Sequence, residues 1–301
     1  MKLKLGARGS ALSLAQAKLV TESLSGRVEV ELVKIRTTGD RLSAAGSPIE
    51  WKGDFTRELD EALLDMRIDF AVHSLKDVPT EVPDGLVLAA VPPREDPRDV
   101  LVARPRRRFE ELPPQARVGT ASPRRRAQLL AARPDLEVLE ARGNVDTRLS
   151  RVAEGRFDAI VLARAGLARL GRLEEVSEVL EPNLILPAIG QGALAIFARA
   201  GDEAVLSLLR TLDHAPSHRE AEAERSLLAI LEAGCKAPVA GLARARNGSV
   251  HITAGVFSPD GRKALREEGA GGAEDAALVG RTVGRKLLAR GAAALIEEAG
   301  R

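Results

Sequence analysis

The chain has 301 residues, of which 45% are hydrophobic and 29% charged, so it is long enough for two or three domains with real cores. Its 45 Lys and Arg residues nearly balance its 43 Asp and Glu residues, and a net charge of +2 argues against a general binder of polyanions. With no Tyr and one Trp it also lacks aromatic platforms for unpaired bases, so nucleic acid is not an expected partner.

The N-terminal residues 1–6 run straight into a strand pattern instead of an apolar signal region, and no segment reaches the length of a membrane span. We therefore expect a cytoplasmic protein without a membrane partner. One Cys excludes an intramolecular disulfide, and with four scattered His residues it gives no zinc spacing, so no metal is expected. No assembly segment stands out, and a monomer is the default expectation.

Short β-rich segments alternate with helical patterns through the first two hundred residues. The strand candidates are 2–7, 28–36, 69–73, 86–91, 100–104, 117–120, 137–141, 159–162 and 193–198. The helix candidates are 11–24, 56–66, 123–132 and 145–154. This pattern predicts an α/β fold with mixed, mainly parallel sheets. Two breaks rich in Pro or Gly, 91–97 and 186–192, mark expected passages between two lobes.

The pattern changes beyond His214. An amphipathic helix is predicted over 219–232, and strand-like segments follow near 237–245, 250–257 and 263–268. A long helix is then predicted to run to about residue 299. This part of the chain indicates a separate α+β domain.

Polar side chains end the apolar segment that begins at Phe70: they are His73, Ser74, Lys76 and Asp77. Polar groups at the carboxyl end of a strand are typical of a binding site in an open α/β sheet. A hydrogen-bonded core pair followed by a solvated turn would give the same pattern. Residues 70–79 alone do not separate these two interpretations.

A cluster of three arginines follows Ser122, which is predicted to cap a helix that begins at Pro123. Arg124, Arg125 and Arg126 would then lie at the positive end of the helix dipole, at a cost of a few tenths to ~1 kcal/mol each. We expect an anion to offset this cost, because free amides and guanidinium groups suit carboxylates or phosphates. Solvated arginines on a surface turn are the alternative.

Arginines recur where other predicted strands end: Arg8, Arg142, Arg148 and Arg169. Ser10 is predicted to cap the helix after Arg8, and Gln16 lies further along that helix. Each position alone is weak evidence. Together they indicate a cleft for a ligand with several carboxylates.

Cys235 follows Gly234, which is predicted to end a helix, and precedes Lys236. This loop position beside a lysine favours the thiolate, although no adjacent His supplies the base of a cysteine hydrolase.

Seven segments in this order carry a family resemblance: 8–12, 71–79, 94–99, 119–126, 142–149, 186–192 and 232–238. From residue 5 to about 240 the chain resembles the porphobilinogen deaminase, or hydroxymethylbilane synthase, family. The resemblance implies a transferase of porphyrin and haem biosynthesis. Such an enzyme condenses four porphobilinogen molecules, releases ammonia at each step and hydrolyses off the linear tetrapyrrole hydroxymethylbilane. It also implies a dipyrromethane cofactor held through a thioether, and Cys235 matches the attachment residue.

The resemblance assigns roles to further residues. Asp77 matches the catalytic carboxylate. Positions matching contacts to the cofactor are Ser74, Lys76, Asp77, Thr120, Ser122, Arg124, Arg125 and Arg148. Positions matching contacts to the substrate are Arg8, Ser10, Gln16, Lys52, Phe55, Arg142, Arg148 and Arg169.

The implied fold has two lobes like those of periplasmic binding proteins and a smaller C-terminal α+β domain that bears Cys235. We expect the first lobe at 1–92 and 193–210, the second at 96–186 and the third domain at 216–301. Three departures from the family pattern stand out: residues 50–55 replace a Gly-Gly-Lys-Gly loop, Ala121 replaces a common serine, and Ala233 replaces a glycine. The polar segment 41–52 is expected to act as a lid over the cleft.

Two other classes of function fit part of the pattern. A bilobal dicarboxylate-binding protein explains the arginines but leaves Cys235 and Asp77 without a role. A thiol-dependent acyl transferase would use Cys235, with His214 and His218 as the only histidines near it in sequence and no oxyanion motif to support them.

Overall fold

The structure, a computed structural model, describes residues 2–44, 52–233 and 237–300. In chain order its elements are β1 (Lys2–Ala7), α1 (Ala11–Ser23), β2 (Glu29–Lys34), α2 (Thr38–Ala44), α3 (Arg57–Leu64), β3 (Phe70–Ser74), β4 (Leu86–Ala90), β5 (Asp99–Ala103), β6 (Arg117–Gly119), α4 (Pro123–Ala132), β7 (Glu137–Leu139), α5 (Val145–Ala153), β8 (Ala159–Ala163), α6 (Arg164–Arg169), β9 (Glu178–Leu180), β10 (Leu194–Arg199), α7 (Glu203–Arg210), α8 (Ala215–Ile230), β11 (Val239–Arg246), β12 (Ser249–Phe257), β13 (Ala264–Gly272), α9 (Ala276–Ala289) and α10 (Ala292–Gly300). No helix among these residues is long and apolar enough to cross a bilayer.

Two five-stranded sheets share one topology. The first has the order β2-β1-β3-β10-β4 and the second the order β7-β6-β8-β5-β9. In each, the first three strands are parallel and the fourth is antiparallel to its neighbours. Apolar side chains are buried on both faces of each sheet, as expected for sheets covered by helices. The predicted α/β class with two lobes is therefore confirmed.

The chain passes between the two sheets twice, after β4 and again before β10. These crossings coincide with the Pro-rich and Gly-rich breaks of the sequence, and they touch each other. The amide of Glu95 donates to the carbonyl of Gly192 at 3.2 Å. Gly192 has a φ of +88°, and a Cβ there would lie 2.3 Å from the carbonyl oxygen of Glu95, so only glycine allows this approach.

The C-terminal domain contains the antiparallel sheet β11-β12-β13, packed against α8, α9 and α10. A buried ion pair joins it to the crossings: Arg94 contacts Glu224 at 2.7 Å, and Glu224 also accepts the amide of Gly190 at 2.6 Å. Glu224 has no exposed surface. The smaller α+β domain is thus attached at the point where the two lobes meet.

Several predicted elements need correction. The predicted long C-terminal helix is two helices, α9 and α10, because Gly291 between them adopts a φ of +92°. The strand predicted over 263–268 extends to Gly272. Its glycines are required there, since a Cβ on Gly269 or Gly271 would lie within 2.7 Å of a valine side chain of α9. Four short elements were not predicted, because none is longer than eight residues and so none shows a clear period: β9, α2, α6 and α7.

Candidate functional site

A cavity of about 1190 Å³ opens between the two lobes, at the ends of their parallel strands. It exceeds the roughly 300–1,000 Å³ of an ordinary small-molecule site. Most of the residues predicted to bind cofactor or substrate line it: Arg8, Ser10, Gln16, Phe55, Ser74, Lys76, Asp77, Arg125, Arg142, Arg148 and Arg169. Thr120, Ser122 and Arg124 do not line it.

The first wall of the cavity is the end of β3. Ser74 closes this strand, and a 3-10 turn at Leu75–Asp77 then places Lys76 and Asp77 on the cavity. Gln16, from α1, donates to the hydroxyl of Ser74 at 2.7 Å. Gly190 of the returning crossing packs directly on this turn, with space for a hydrogen atom only, because a Cβ there would lie 2.9 Å from Leu75.

Lys76 is half-buried, and among the described residues no hydrogen bond or ion pair reaches its ammonium group. Burial lowers its pKa to about 8, although the nearby Asp77 acts in the opposite direction. A carboxylate of a ligand would stabilise the protonated, charged form of such a lysine. Lys76 and Asp77 together give this wall one cation and one acceptor for a ligand.

The second wall begins at the helix α4. Ser122 caps it by accepting the amide of Arg125 at 3.4 Å, as predicted, and Thr120 accepts the amide of Ser122 at 3.1 Å. Both hydroxyls therefore shape the turn before α4. Ala121 lines the cavity between them.

The anion expected beside the arginines of α4 is a residue of the protein itself. Asp99, at the start of β5, has no exposed surface and accepts from Arg124 at 2.8 Å and from Arg125 at 2.7 Å. Burial opposes the ionisation of Asp99, but the two guanidinium groups outweigh it and hold its pKa well below the usual range. Gln191 also donates to Asp99 at 2.8 Å. An anion is thus present beside Arg124 and Arg125 without a bound ligand.

The arginines of this cluster face different surroundings. Arg124 is buried and also donates to the carbonyl of Leu186 at 2.6 Å, which places it behind the wall as a positioning residue. Arg126 donates to the carbonyl of Val138. Arg125 alone lines the cavity.

Two more arginines of the second lobe have only carbonyl partners in the part of the chain that the structure describes. Arg148 donates to Gly143 at 2.9 Å, and Arg169 donates to Gly192 at 2.6 Å. No carboxylate of the described residues forms an ion pair with either. Burial lowers the pKa of each to about 10, with the charge of Arg125 contributing at Arg148. These two cations suit carboxylates of a ligand.

Arg8 and Arg142 are instead paired with carboxylates of the protein. Arg8 donates to Asp40 through Nε at 3.0 Å and Nη2 at 2.6 Å, and its guanidinium lies 4.0 Å from the centre of the Phe55 ring. Arg142 contacts Glu140 at 2.6 Å. Ser10 caps α1 by accepting the amide of Ser13 at 3.3 Å, as predicted.

The proposed lid lies partly outside the described residues, which omit 45–51. In its described part, residues 41–44 belong to α2. Lys52 begins a 3-10 turn, Lys52–Phe55, that brings Phe55 against Arg8 and against Gly39. Cys235 also lies outside the described residues, between α8 and β11.

Sequence reasoning missed Asp40 and Asp99, the two carboxylates that hold Arg8 and Arg125. One indication of Asp99 was available, because it stands directly before the apolar segment 100–103 of a buried strand. A buried charge requires a partner.

Comparison with known proteins agrees with this geometry. The model of the porphobilinogen deaminase dipyrromethane cofactor binding domain matches residues 3–207, and that of the family's C-terminal domain matches residues 218–289. The chain belongs to the porphobilinogen deaminase family. It is therefore a transferase of tetrapyrrole biosynthesis that acts on porphobilinogen, and its larger part binds a dipyrromethane cofactor.

Individual relatives cover nearly the whole chain. A porphobilinogen deaminase of Desulforudis audaxviator is 50% identical over 97% of this chain and 96% of its own length. One of Thermus thermophilus is 47% identical over 95% of both. Among solved structures, the Bordetella pertussis BvgS VFT2 domain covers 75% of this chain and 92% of its own, at 17% identity and a TM-score of 0.42.

The cavity fits a dipyrromethane that carries several carboxylates. Lys76, Arg148 and Arg169 line it without an ion-pair partner among the described residues, and Arg125 leaves its Nε buried without a hydrogen bond. Carboxylates prefer such guanidinium and ammonium donors.

Proposed function

We propose that Asp77 is the catalytic carboxylate of the porphobilinogen deaminase reaction in this cavity, and that Cys235 holds the dipyrromethane through a thioether. The observation that supports this most is the position of Asp77. It lies at the cavity edge of the first lobe, next to Lys76, which has no ion-pair partner among the described residues, and opposite arginines of the second lobe.

The residues are assigned to two groups by their place on the cavity. Ser74, Lys76, Arg125 and Arg148 hold the carboxylates of the cofactor, while Thr120, Ser122 and Arg124 keep the α4 turn in place from behind. The substrate contacts Arg8, Ser10, Gln16, Lys52, Phe55, Arg142, Arg148 and Arg169. The dipyrromethane, when bound, supplies the pyrrole carbon to which the first porphobilinogen is joined.

Asp77 assists two parts of each condensation. When ammonia leaves the aminomethyl group of porphobilinogen, positive charge develops on the pyrrole, and a fixed carboxylate stabilises this charge while accepting the pyrrole N–H. After the new carbon–carbon bond has formed, the same carboxylate accepts the proton that the joined ring loses. The surrounding arginines bind acetate and propionate groups, which orients each ring toward Asp77.

The remaining parts of the proposal concern the whole chain. We infer that it acts as a monomer, because no assembly segment stands out in its sequence. A single thiol that must stay reduced to form a thioether suits the cytoplasm. Residues 1–92 and 193–210, 96–186, and 216–301 are the proposed domains.

The test of Asp77 is its replacement by asparagine, which keeps the size of the side chain and removes its charge. In Asp77→Asn we expect the consumption of porphobilinogen to fall at least about 100-fold, since general acid–base catalysis contributes about 10²–10⁴-fold. Thermal unfolding should stay unchanged. The matched control is Asp84→Asn, on the surface after the same strand. Wild-type turnover in Asp77→Asn contradicts the assignment.

A further inference from the structure

A second, smaller cavity of about 40 Å³ lies beside the large one, against β3. Asp77, Ser74, Gln16 and Arg8 border both cavities, whereas His73 borders only the small one. A water molecule needs about 10–15 Å³ of such space, so this side pocket accommodates only molecules of one to three heavy atoms. It therefore has the size for a small reactant and not for a pyrrole.

The side pocket has an unusual wall, the buried imidazole of His73. This side chain is 5% exposed, and its ring lies edge-on to Phe197 with the ring centres 5.9 Å apart. Its Nε2 is buried and has no hydrogen-bond partner among the described residues. A buried ring nitrogen without a partner is unfavourable, and a small hydrogen-bonding molecule would satisfy it.

Three polar groups of the pocket complement a water molecule. His73 is neutral near pH 7, because burial lowers its pKa to about 4 and the charge of Arg8 acts in the same direction. A neutral imidazole offers one donor and one acceptor. Ser74 accepts from Gln16 and keeps its own hydroxyl proton to donate, and Asp77 accepts.

We propose that the side pocket binds the water that releases the finished tetrapyrrole, with His73 as the residue that positions it. This inference rests on the proposed function of Asp77. Release is a net hydrolysis. The carbon–carbon bond between the methylene of the first-added ring and the ring that stays on the protein breaks, the freed ring carbon takes one proton of the water, and the remaining hydroxide joins the methylene. Chain extension uses a pyrrole carbon as nucleophile and needs no water.

The difference between release and extension supplies the first test. In His73→Leu we expect the first addition of porphobilinogen to stay within twofold of the parent, whereas release slows about tenfold. The intact mass of the protein should accordingly shift toward the longest bound chain. His73→Asn keeps a hydrogen-bonding group and should recover part of the release rate. The matched control is His251→Leu, at an exposed position of β12.

Equal slowing of the first addition and of release in His73→Leu would show a merely structural role and overturn the inference, as would an unchanged distribution of bound chains. A parent protein that does not consume porphobilinogen would contradict the proposed function instead.

A second test uses the parent protein and so does not depend on how a variant folds. Hydroxylamine has two heavy atoms and fits the side pocket, whereas its O-benzyl ether does not. Added during turnover, hydroxylamine should replace water in the released product at least about tenfold more often than the ether at equal concentration. Equal trapping by both would show that the attacking molecule comes from the open cleft and would overturn the inference.

Discussion

Four of the arginines that line the cavity form two pairs that differ in their partners. Arg8 and Arg125 each contact a carboxylate of the protein, Asp40 and Asp99. Within the described part of the chain, Arg148 and Arg169 contact only backbone carbonyls. The four side chains line the same cavity, yet only the first pair is already neutralised.

This difference in partners indicates that the first pair of arginines has a positioning role and the second pair binds ligand carboxylates. A guanidinium paired with a buried carboxylate is held in one orientation, and its charge is stabilised before any ligand arrives. Arg148 and Arg169 lack that stabilisation, and burial lowers the pKa of each to about 10. A ligand carboxylate therefore gains more from the second pair than from the first.

The largest effect on stability is expected when the buried arginines lose their carboxylate partner. In Asp99→Asn two buried arginines lose their counter-charge, and breaking such a buried pair costs about 3–5 kcal/mol. We expect the free energy of unfolding, measured with urea, to fall by this amount. The control is Asp158→Asn, which breaks a half-exposed pair with Arg117 and should cost about 0–1 kcal/mol. Equal losses in the two variants would remove the distinction between the groups.

Replacing an arginine of the second group should affect binding more than folding. Arg148→Gln removes a cation available to ligand carboxylates, and a charged hydrogen bond contributes about 1.5–3 kcal/mol. We expect binding to weaken by roughly 10- to 100-fold, measured as a higher KM for porphobilinogen or as a lower occupancy of bound pyrroles. Arg172→Gln, at a surface position paired with Asp146 and Glu175, is the control. A lower free energy of unfolding in Arg148→Gln, together with an unchanged ligand affinity, would contradict this grouping.

The turn that carries Lys76 and Asp77 should depend on the glycine packed against it. Gly190 has a φ of +72°, and a Cβ would lie 3.0 Å from the amide nitrogen of Lys76. Gly190→Ala should lower the free energy of unfolding by about 1–3 kcal/mol and reduce turnover. Gly201→Ala, with nothing within 4 Å of the added methyl group, should change stability by less than about 0.5 kcal/mol. A neutral Gly190→Ala would show that the crossing does not hold the turn.

The smallest effect should come from Lys76, which belongs to neither group of arginines. Its pKa of about 8 means that the ammonium is present below pH 8 and is lost as pH rises through that value. Carboxylate binding should therefore weaken above pH 8, by up to about tenfold at pH 9 if the cation is required, whereas Lys76→Arg should remove this dependence. The measurement is the fraction of the protein that acquires the dipyrromethane during incubation with porphobilinogen, read from its intact mass at pH 7 to 9.5. Identical profiles in both proteins would contradict the role of Lys76.

Local sequence features predicted much of this molecule. The bounds of β1 and α4 are those expected from the strand pattern and from the Ser122-Pro123 start, and the caps at Ser10 and Ser122 were predicted correctly. These features depend on neighbours within a few residues. The arginines at strand ends were found for the same reason, since a parallel sheet collects such ends at one edge.

Features set by distant partners could not be predicted in this way. Asp99 meets Arg124, 25 residues away, and Asp40 meets Arg8, 32 residues away. Helix α2 is too short to show a period, and the glycines at the end of β13 indicate a turn until α9 is seen packed against them. Tertiary contacts overrode the local pattern at each of these places.

The intact mass of the purified protein beside its Cys235→Ser variant tests the central claim most directly. A dipyrromethane bound through a thioether predicts that the parent exceeds the mass of its chain by two porphobilinogen units, each without ammonia, and that the variant does not. A parent with the bare mass of the chain, even after incubation with porphobilinogen, would contradict the covalent cofactor and its attachment to Cys235.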